Sequence, residues 1–202
     1  MIVLVDYGIG NLRSVEKALQ AVGAAVRLID DPQAILGADK IVLPGVGAFG
    51  DGMAGLRQRR LVETICEAAQ RGIPLLGICL GMQLLFESSE EMGMQAGLGL
   101  LPGRVQRFPS SNLKIPHTGW NQLEFQAGAP LLKGLESGCY AYFNHSYYCE
   151  PADPRLVLAR ASYGLSYASV VGKGRCFGVQ FHPEKSQAVG LRILRNFVED
   201  NF

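Results

Sequence analysis

A cysteine framed by two glycines stands in residues 77–81, Gly-Ile-Cys-Leu-Gly, between an apolar run and a segment with apolar side chains at helical spacing. Such a strand-to-helix turn is typical of a nucleophile elbow, where glycines stand because a Cβ atom would collide with neighbouring backbone. Unpaired N–H groups at the start of a helix also favour a thiolate. The pattern predicts Cys79 as a nucleophile, and the alternative is a cysteine that only fills the core.

A thiol nucleophile needs a basic partner, and the chain offers His117, His145 and His182. His182 follows the apolar run 177–181 and is followed by a proline and Glu184. An imidazole can accept the thiol proton while a carboxylate two residues away fixes its tautomer. We therefore expect His182 to be the base and Glu184 to orient it, rather than a surface pair of these two side chains.

Attack on an acyl carbon creates an oxyanion, which backbone N–H groups can stabilise. The N–H of Leu80, directly after the predicted nucleophile, is the expected first donor. The second donor should come from the turn Pro44, Gly45, Val46 and Gly47, because glycines bring N–H groups close to a substrate. An ordinary turn between a strand and a helix is the other interpretation of this segment.

The order of elements along the first hundred residues should bring these segments together. Strands are predicted at 2–5, 25–29, 41–43 and 73–78, and helices at 12–22, in one stretch from Met53 to Ala69, and at 80–86. Apolar strands interleaved with helices imply an α/β, doubly wound, mostly parallel sheet that is covered on both faces. Ligands of such sheets lie beyond the carboxyl ends of the strands, so the turns after the first, third and fourth strands should form the site.

The second half of the chain has a different pattern, with short strand-like runs between glycine, proline and polar turns. These runs lie at 104–108, 123–125, 140–148, 156–161, 167–171 and 176–181. We expect them to add antiparallel strands to the same sheet, followed by a closing helix at 186–200. No linker or repeat divides the sequence, so a single domain over residues 1–202 is predicted.

Composition excludes several classes of function. Of the 202 residues, 48% are hydrophobic and 18% are charged, and the net charge is only +1, which argues against a nucleic-acid-binding face. No signal peptide or membrane span is expected, because Asp6 interrupts the first apolar run and residues 73–86 are shorter than the roughly 18 residues of a span. The odd number of cysteines, five, at irregular spacing is not a disulfide framework, and a cytoplasmic location is expected.

No metal or cofactor is expected either. Cys139, His145 and Cys149 share one face of a strand-like run, but its ends are about 33 Å apart, too far for one zinc ion. The turn 8–10, Gly-Ile-Gly, lacks the third glycine of a dinucleotide-binding loop, because Arg13 stands in its place.

Taken together, the motifs resemble those of the class I (triad) glutamine amidotransferases, a flavodoxin-like family. Within it the chain is most similar to the glutaminase subunits of imidazole glycerol phosphate synthases, which serve histidine biosynthesis. The motifs that carry the resemblance are Asp-Tyr-Gly-Ile-Gly-Asn-Leu at 6–12, Pro-Gly-Val-Gly-Ala-Phe at 44–49, Leu-Gly-Ile-Cys-Leu-Gly-Met-Gln at 76–83, a predicted loop Pro-His-x-Gly-Trp-Asn at 116–121, His-Ser-Tyr-Tyr at 145–148, and Gly-Val-Gln-Phe-His-Pro-Glu-Lys-Ser at 178–186.

The resemblance implies that the thiolate of Cys79 attacks the side-chain amide of glutamine. His182 acts first as general base, which takes the thiol proton, and afterwards as general acid, with Glu184 orienting it. By the same resemblance Gln83 and the backbone around Ser146 and Tyr147 hold glutamine. The products are glutamate and ammonia.

The resemblance also implies a partner, a (βα)8-barrel cyclase subunit that receives the ammonia and makes imidazole glycerol phosphate. Asn11, Trp120 and Lys185 are candidates for the interface, because they lie in predicted loops near the cleft and tryptophans often anchor interfaces. Core packing is the alternative role of Trp120. The free subunit should hydrolyse glutamine slowly until the partner turns the segment from Gly45 to Gly47 into the donor geometry.

Two rival functions remain at this level. The first is a glutaminase subunit of another synthase, such as pyridoxal phosphate synthase, which the loop at 116–121 disfavours. The second is a non-catalytic regulatory subunit of the same fold, and the intact Cys79, His182 and Glu184 count against it.

Overall fold

A long mixed sheet runs through the molecule, whose computed structural model describes residues 1–109 and 113–200. Its strands and those of a small second sheet are β1 (Ile2–Val5), β2 (Val26–Ile29), β3 (Lys40–Leu43), β4 (Leu75–Ile78), β5 (Phe86–Ser89), β6 (Gln95–Ala96), β7 (Leu101–Arg107), β8 (His117–Leu123), β9 (Cys139–His145), β10 (Tyr147–Pro151), β11 (Val157–Ser162), β12 (Ser166–Lys173) and β13 (Cys176–Val179). The α-helices are α1 (Leu12–Ala21), α2 (Pro32–Leu36), α3 (Phe49–Gln58), α4 (Leu61–Gln70), α5 (Leu80–Leu84) and α6 (Gln187–Glu199).

The predicted α/β fold is confirmed by the strand order. The main sheet runs β2-β1-β3-β4-β13-β12-β10-β7-β5-β6, and β11 pairs with β12. The first five strands of this order are mutually parallel, and β12 then joins β13 in the antiparallel sense. Because β13 lies beside β4, the carboxyl ends of these two strands meet at one edge of the sheet.

Helices cover both faces of the parallel region, as its apolar strands require. Every residue of β1 is buried, and alternate side chains enter the two core clusters on opposite faces. One cluster contains residues of α1, α6 and the small sheet β8-β9. The other contains residues of α2, α3, α4 and α5.

The helix predicted in one stretch from Met53 to Ala69 is two helices, α3 and α4. Arg60 adopts a left-handed conformation, with φ 57°, and so changes the chain direction between them. The helix predicted at 80–86 also ends early, at Leu84, and Phe86 begins strand β5 instead. The short helix α2, which Asp31 caps by accepting a hydrogen bond from the Ala34 N–H, was not predicted.

Two expectations for the second half of the chain are wrong. The segment 116–121 is not a loop, since strand β8 begins at His117, and it ends at Leu123 where a strand was expected to begin. The run 140–148 is two strands, β9 and β10, because the chain changes partners at Ser146: β9 pairs with β8 in a separate sheet, while β10 joins the main sheet between β7 and β12. No helix in the described residues is both long enough and apolar enough to cross a membrane.

Candidate active site

The turn after β4 has the strained geometry of a nucleophile elbow. Cys79 has φ 54° and ψ −109°, outside the usual conformations of a residue with a side chain, and it begins helix α5. A Cβ atom on Gly77 would lie 2.6 Å from the Gly81 carbonyl oxygen, and one on Gly81 would lie 1.9 Å from the Leu43 carbonyl oxygen. The two glycines therefore let three backbone segments meet directly beneath the cysteine, as the sequence pattern predicts.

Cys79 is 5% exposed, and the cavity that it reaches has a volume of about 310 Å³. Its backbone N–H donates to the carbonyl of Val179, at a distance of 2.8 Å, which holds the elbow to the end of β13. The side-chain amide of Gln180 lies with Nε2 3.8 Å from the Cys79 sulfur. The thiol is therefore fixed at the base of a cavity rather than buried as core filling.

His182 follows β13 and is brought to the same cavity by the pairing of that strand with β4. Its Nδ1 lies 2.9 Å from Oε1 of Glu184, and both side chains are buried, with 4% and 1% exposure. Burial alone would lower the pKa of the imidazole, but hydrogen bonds to the Cys79 and Glu184 side chains together raise it to about 10. The imidazole of His182, which interacts with the thiol on one side and the carboxylate on the other, is therefore protonated at neutral pH.

Residues of both halves of the chain line this cavity. They are Val46, Gly47, Cys79, Leu80, Gln83, Glu91, Pro116, Asn144, His145, Ser146, Tyr147, His182 and Lys185. The predicted nucleophile, base and glutamine-holding residues are thus brought together at the edge of the sheet where the parallel strands end.

The predicted oxyanion donors divide into two groups. Leu80, Val46 and Gly47 line the cavity. Gly45 instead packs behind Leu80, where a Cβ atom would lie 2.5 Å from the Tyr7 hydroxyl oxygen and 2.8 Å from the Leu80 Cβ. Only a glycine fits at this position.

A buried tyrosine, which sequence analysis did not single out, anchors this turn. The Tyr7 hydroxyl donates to the Pro44 carbonyl at 2.6 Å, and burial followed by the nearby Cys79 raises its pKa. The hydroxyl therefore keeps its proton at neutral pH and remains a donor.

Gln83 lies on α5, one turn after the elbow, and its side chain is buried. Its Nε2 donates to the Tyr147 carbonyl and to Oε1 of Gln180, both at 3.1 Å. Both amide protons are used in this way, so its carbonyl oxygen is the atom left to accept a hydrogen bond from a ligand.

Two residues of the site were missed in the sequence. Glu91 lines the cavity and accepts a hydrogen bond from the N–H of Phe49, at 2.7 Å, with its Oε2. Gln180, two residues before His182, is fully buried and links Gln83 to Cys79. A buried polar residue within the apolar run 177–181 was the available signal for Gln180, whereas Glu91 lies in a polar stretch with no local signal.

The three predicted interface residues do not all lie in loops. Trp120 is in strand β8, and at 47% exposure it is not a core residue. Its ring lies edge-on to Tyr142, with centroids 6.0 Å apart, and the Lys185 ammonium lies 5.7 Å from the centre of the same tyrosine ring. Asn11 is exposed at the start of α1, a helix that contacts the turn containing Lys185.

The described residues contain no cluster of His, Cys, Asp and Glu side chains that could hold a metal ion.

Comparison with known proteins gives concordant matches. The model of the glutamine amidotransferase class-I family matches residues 3–201. The imidazole glycerol phosphate synthase subunit HisH of Moorella thermoacetica is 52% identical over 98% of this chain and 94% of its own length. The subunit of the same name from Methanosarcina mazei is 53% identical over 98% of each chain.

Solved structures agree on the fold. A crystal structure described as a glutamine amidotransferase superposes with a TM-score of 0.78 at 22% identity, covering 98% of both chains. The PurLQS complex of Thermotoga maritima contains a chain that superposes with a TM-score of 0.77 at 22% identity, covering 97% of this chain and 96% of that one.

Proposed function

Because the chain belongs to the class-I glutamine amidotransferases and acts as the glutaminase subunit of an imidazole glycerol phosphate synthase, we propose that Cys79, His182 and Glu184 form the triad that hydrolyses glutamine. The observation that carries this assignment is that Cys79 and His182 line one cavity, while the buried Glu184 carboxylate bonds to the imidazole of His182. The strained elbow presents the thiol, and His182 bonds to both the thiol and the buried carboxylate.

The reaction follows from these positions. The Cys79 sulfur attacks the side-chain amide carbon of glutamine, and the carbonyl oxygen becomes an oxyanion that the N–H of Leu80 and a donor from Val46 or Gly47 stabilise. His182 gives its proton to the nitrogen as the C–N bond breaks, so that ammonia leaves and a γ-glutamyl thioester remains. His182 then takes a proton from water, which attacks the thioester and releases glutamate. The thiolate and the protonated imidazole are thereby restored.

The amino-acid end of glutamine carries one positive and one negative group, and the cavity offers acceptors and donors for both. We propose that the carboxylate of Glu91 and the carbonyl oxygen of Gln83 receive the α-ammonium group. The backbone around Ser146 and Tyr147, which lines the same cavity, receives the α-carboxylate. Glutamine would then be held with its amide pointing towards Cys79.

Ammonia must be used by a second subunit. We propose a (βα)8-barrel cyclase as that partner, docked over the cavity and receiving ammonia directly. Lys185 lines the cavity, Trp120 and Asn11 are exposed, and these three residues are the proposed contacts. The whole chain, as one amidotransferase domain, is the proposed catalytic unit. A cytoplasmic location is also proposed, since all five cysteines are free, which suits a reducing compartment.

The partner is also proposed to set the activity. The Pro44 carbonyl is held by Tyr7, whereas Gly47, with φ 96°, has open space around its Cα. The N–H groups of Val46 and Gly47 can thus turn while Pro44 stays fixed. Low activity of the free subunit and high activity of the complex would follow.

The test is glutamate release by the chain assembled with its cyclase, for Cys79→Ala and for Cys66→Ala as a matched control. Cys66 lies on α4, away from the cavity, and its thiol donates to the Leu98 carbonyl. We expect Cys79→Ala to lose at least about 10⁴-fold of the rate. Cys66→Ala should keep most of it.

Release of glutamate by Cys79→Ala would contradict the triad. An inactive wild-type complex would instead favour the regulatory alternative. Activation by a pyridoxal phosphate synthase barrel, and not by the cyclase, would favour the other synthase.

A further inference from the structure

Three buried rings form a hydrogen-bonded cluster on the wall of the cavity that carries Ser146 and Tyr147. His117 and His145 face each other across strands β8 and β9, with His117 Nδ1 3.3 Å from His145 Nε2. The Tyr167 hydroxyl on β12 lies 3.2 Å from His117 Nδ1 and 3.3 Å from His145 Nε2. All three residues are at most 6% exposed, and His145 also lines the cavity.

The protons of this cluster can be assigned from its outer partners. His145 Nδ1 lies 2.7 Å from the Tyr147 carbonyl, which can only accept, so Nδ1 carries the proton. Burial lowers the pKa of His145 to about 3, which leaves Nε2 as an acceptor at neutral pH.

The Asn121 side chain fixes the second ring in the same way. Its Nδ2 donates to the Ser162 carbonyl at 2.8 Å and its Oδ1 accepts from the N–H of Gln122, so the orientation of the amide is determined. The same Nδ2 lies 3.3 Å from His117 Nε2, which must accept, and burial lowers the pKa of His117 to about 4. The His117 proton is therefore on Nδ1, directed at Tyr167 and His145. Each of the two imidazoles in the cluster thus has one compatible tautomer.

The Tyr147 carbonyl joins this cluster to the substrate side. It accepts from His145 Nδ1 at 2.7 Å and from Gln83 Nε2 at 3.1 Å. The neighbouring Ser146 carbonyl accepts from the N–H of Phe108, at 3.1 Å. His145 thus folds back on the turn between β9 and β10, where the chain leaves one sheet for the other.

We propose that His145 is a positioning residue for glutamine, whose Nδ1–H fixes the Tyr147 carbonyl and, through it, the side-chain amide of Gln83. This inference rests on the proposed function, since it concerns the binding of the same substrate. His117 and Tyr167 set the tautomer of His145 and touch no substrate themselves. Loss of the Nδ1 donor should leave the Tyr147 carbonyl short of one buried partner and free the Gln83 amide to turn.

Three substitutions at His145 separate this donor from the volume of the ring. His145→Asn places an amide N–H near the position of Nδ1, and His145→Gln places one near Nε2 instead. His145→Leu removes both. In the complex with the cyclase, we expect KM for glutamine to rise about 5- to 100-fold in the Leu and Gln variants, with kcat within about threefold. KM of the Asn variant should stay within about threefold of the wild type.

A general structural role would lower kcat and raise KM in all three variants together. That pattern would overturn the proposal, and so would an unchanged KM in the Leu and Gln variants. If the variants do not fold, nitrogen NMR of the wild-type imidazoles still decides: the Nδ1–H tautomer of His145 is required, and the Nε2–H tautomer would overturn it. A wild-type complex without glutaminase activity would contradict the proposed function, whereas an active complex with unchanged KM values would contradict only the role of His145.

Discussion

Three histidines in and beside one cavity have almost equal burial, but one of them is charged and the other two are neutral. His182 is 3% exposed, and its pKa is raised to about 10. His145 lines the same cavity and His117 lies beside it; they are 6% and 3% exposed, and their pKa values are lowered to about 3 and about 4. Burial is therefore common to all three and lowers the pKa of each, so it does not explain why His182 differs from the other two.

The partners decide it. His182 bonds to the Glu184 carboxylate and to the Cys79 side chain, both of which favour the charged imidazole. His145 bonds to a backbone carbonyl, and the groups at its other nitrogen are a hydroxyl and a second imidazole. The first environment stabilises a proton that chemistry can use, and the second stabilises a single neutral tautomer that can only position its neighbours.

The largest effect is expected when the carboxylate of Glu184 is removed. Glu184→Gln keeps the shape of the side chain but loses the charge, so the pKa of His182 should fall and the ring should lose its proton at a lower pH than in the wild type. We expect kcat/KM for glutamine to fall about 10³- to 10⁴-fold, as for the loss of the orienting carboxylate in other triads. The measurement is steady-state glutaminase kinetics of the complex across a range of pH.

Glu150→Gln serves as its control, because Glu150 pairs with Arg104 on the surface, away from the cavity. A Glu184→Gln variant with near wild-type kinetics would show that the proton on His182 does not depend on Glu184.

A smaller effect is expected when a carboxylate is added beside the neutral imidazole of His117. Asn121→Asp would place a negative group about where Nδ2 now meets Nε2 of His117, at 3.3 Å. An opposite charge at this distance raises the pKa of an imidazole by about 1 to 3 units. His117 should therefore become protonated at a higher pH, with the midpoint followed by NMR of its ring.

Asn144→Asp is the matched control, because Asn144 is exposed and its Oδ1 already accepts from the Thr118 hydroxyl. If the pKa of His117 were the same in Asn121→Asp as in the wild type, the charge of the partner groups would not be the cause of the difference in pKa between His182 and the other two histidines.

The surroundings of the charged His182 were predictable from the sequence, and the cluster of the neutral His117 and His145 was not. The elbow around Cys79 and the pair of His182 with Glu184 are local patterns, within five and three residues respectively, and glycine and proline punctuate them. The ring cluster joins residues 28 and 50 positions apart, His117 with His145 and His117 with Tyr167. Such pairs depend on strand register, which no local pattern specifies.

The same distinction, between local patterns and pairings that depend on distant residues, accounts for the errors in the predicted fold. The parallel strands were predictable because they are continuously apolar. Strand β8 was missed because its inward positions include His117, so its alternation of buried and exposed residues does not appear as alternation of apolar and polar ones. The break between α3 and α4 lacks glycine and proline and depends on the left-handed conformation of Arg60.

The charge states of the three imidazoles in the wild-type protein are the most direct test of this difference between His182 and the pair of His117 and His145. Nitrogen and carbon NMR of the histidine rings at neutral pH should show one protonated ring, His182, that titrates near pH 10, and two neutral rings that stay neutral down to about pH 5. Substitution of each histidine in turn assigns the signals. A neutral His182 at pH 7, or a charged His145 or His117, would contradict the proposed difference between a catalytic His182 and a neutral, positioning pair of His117 and His145.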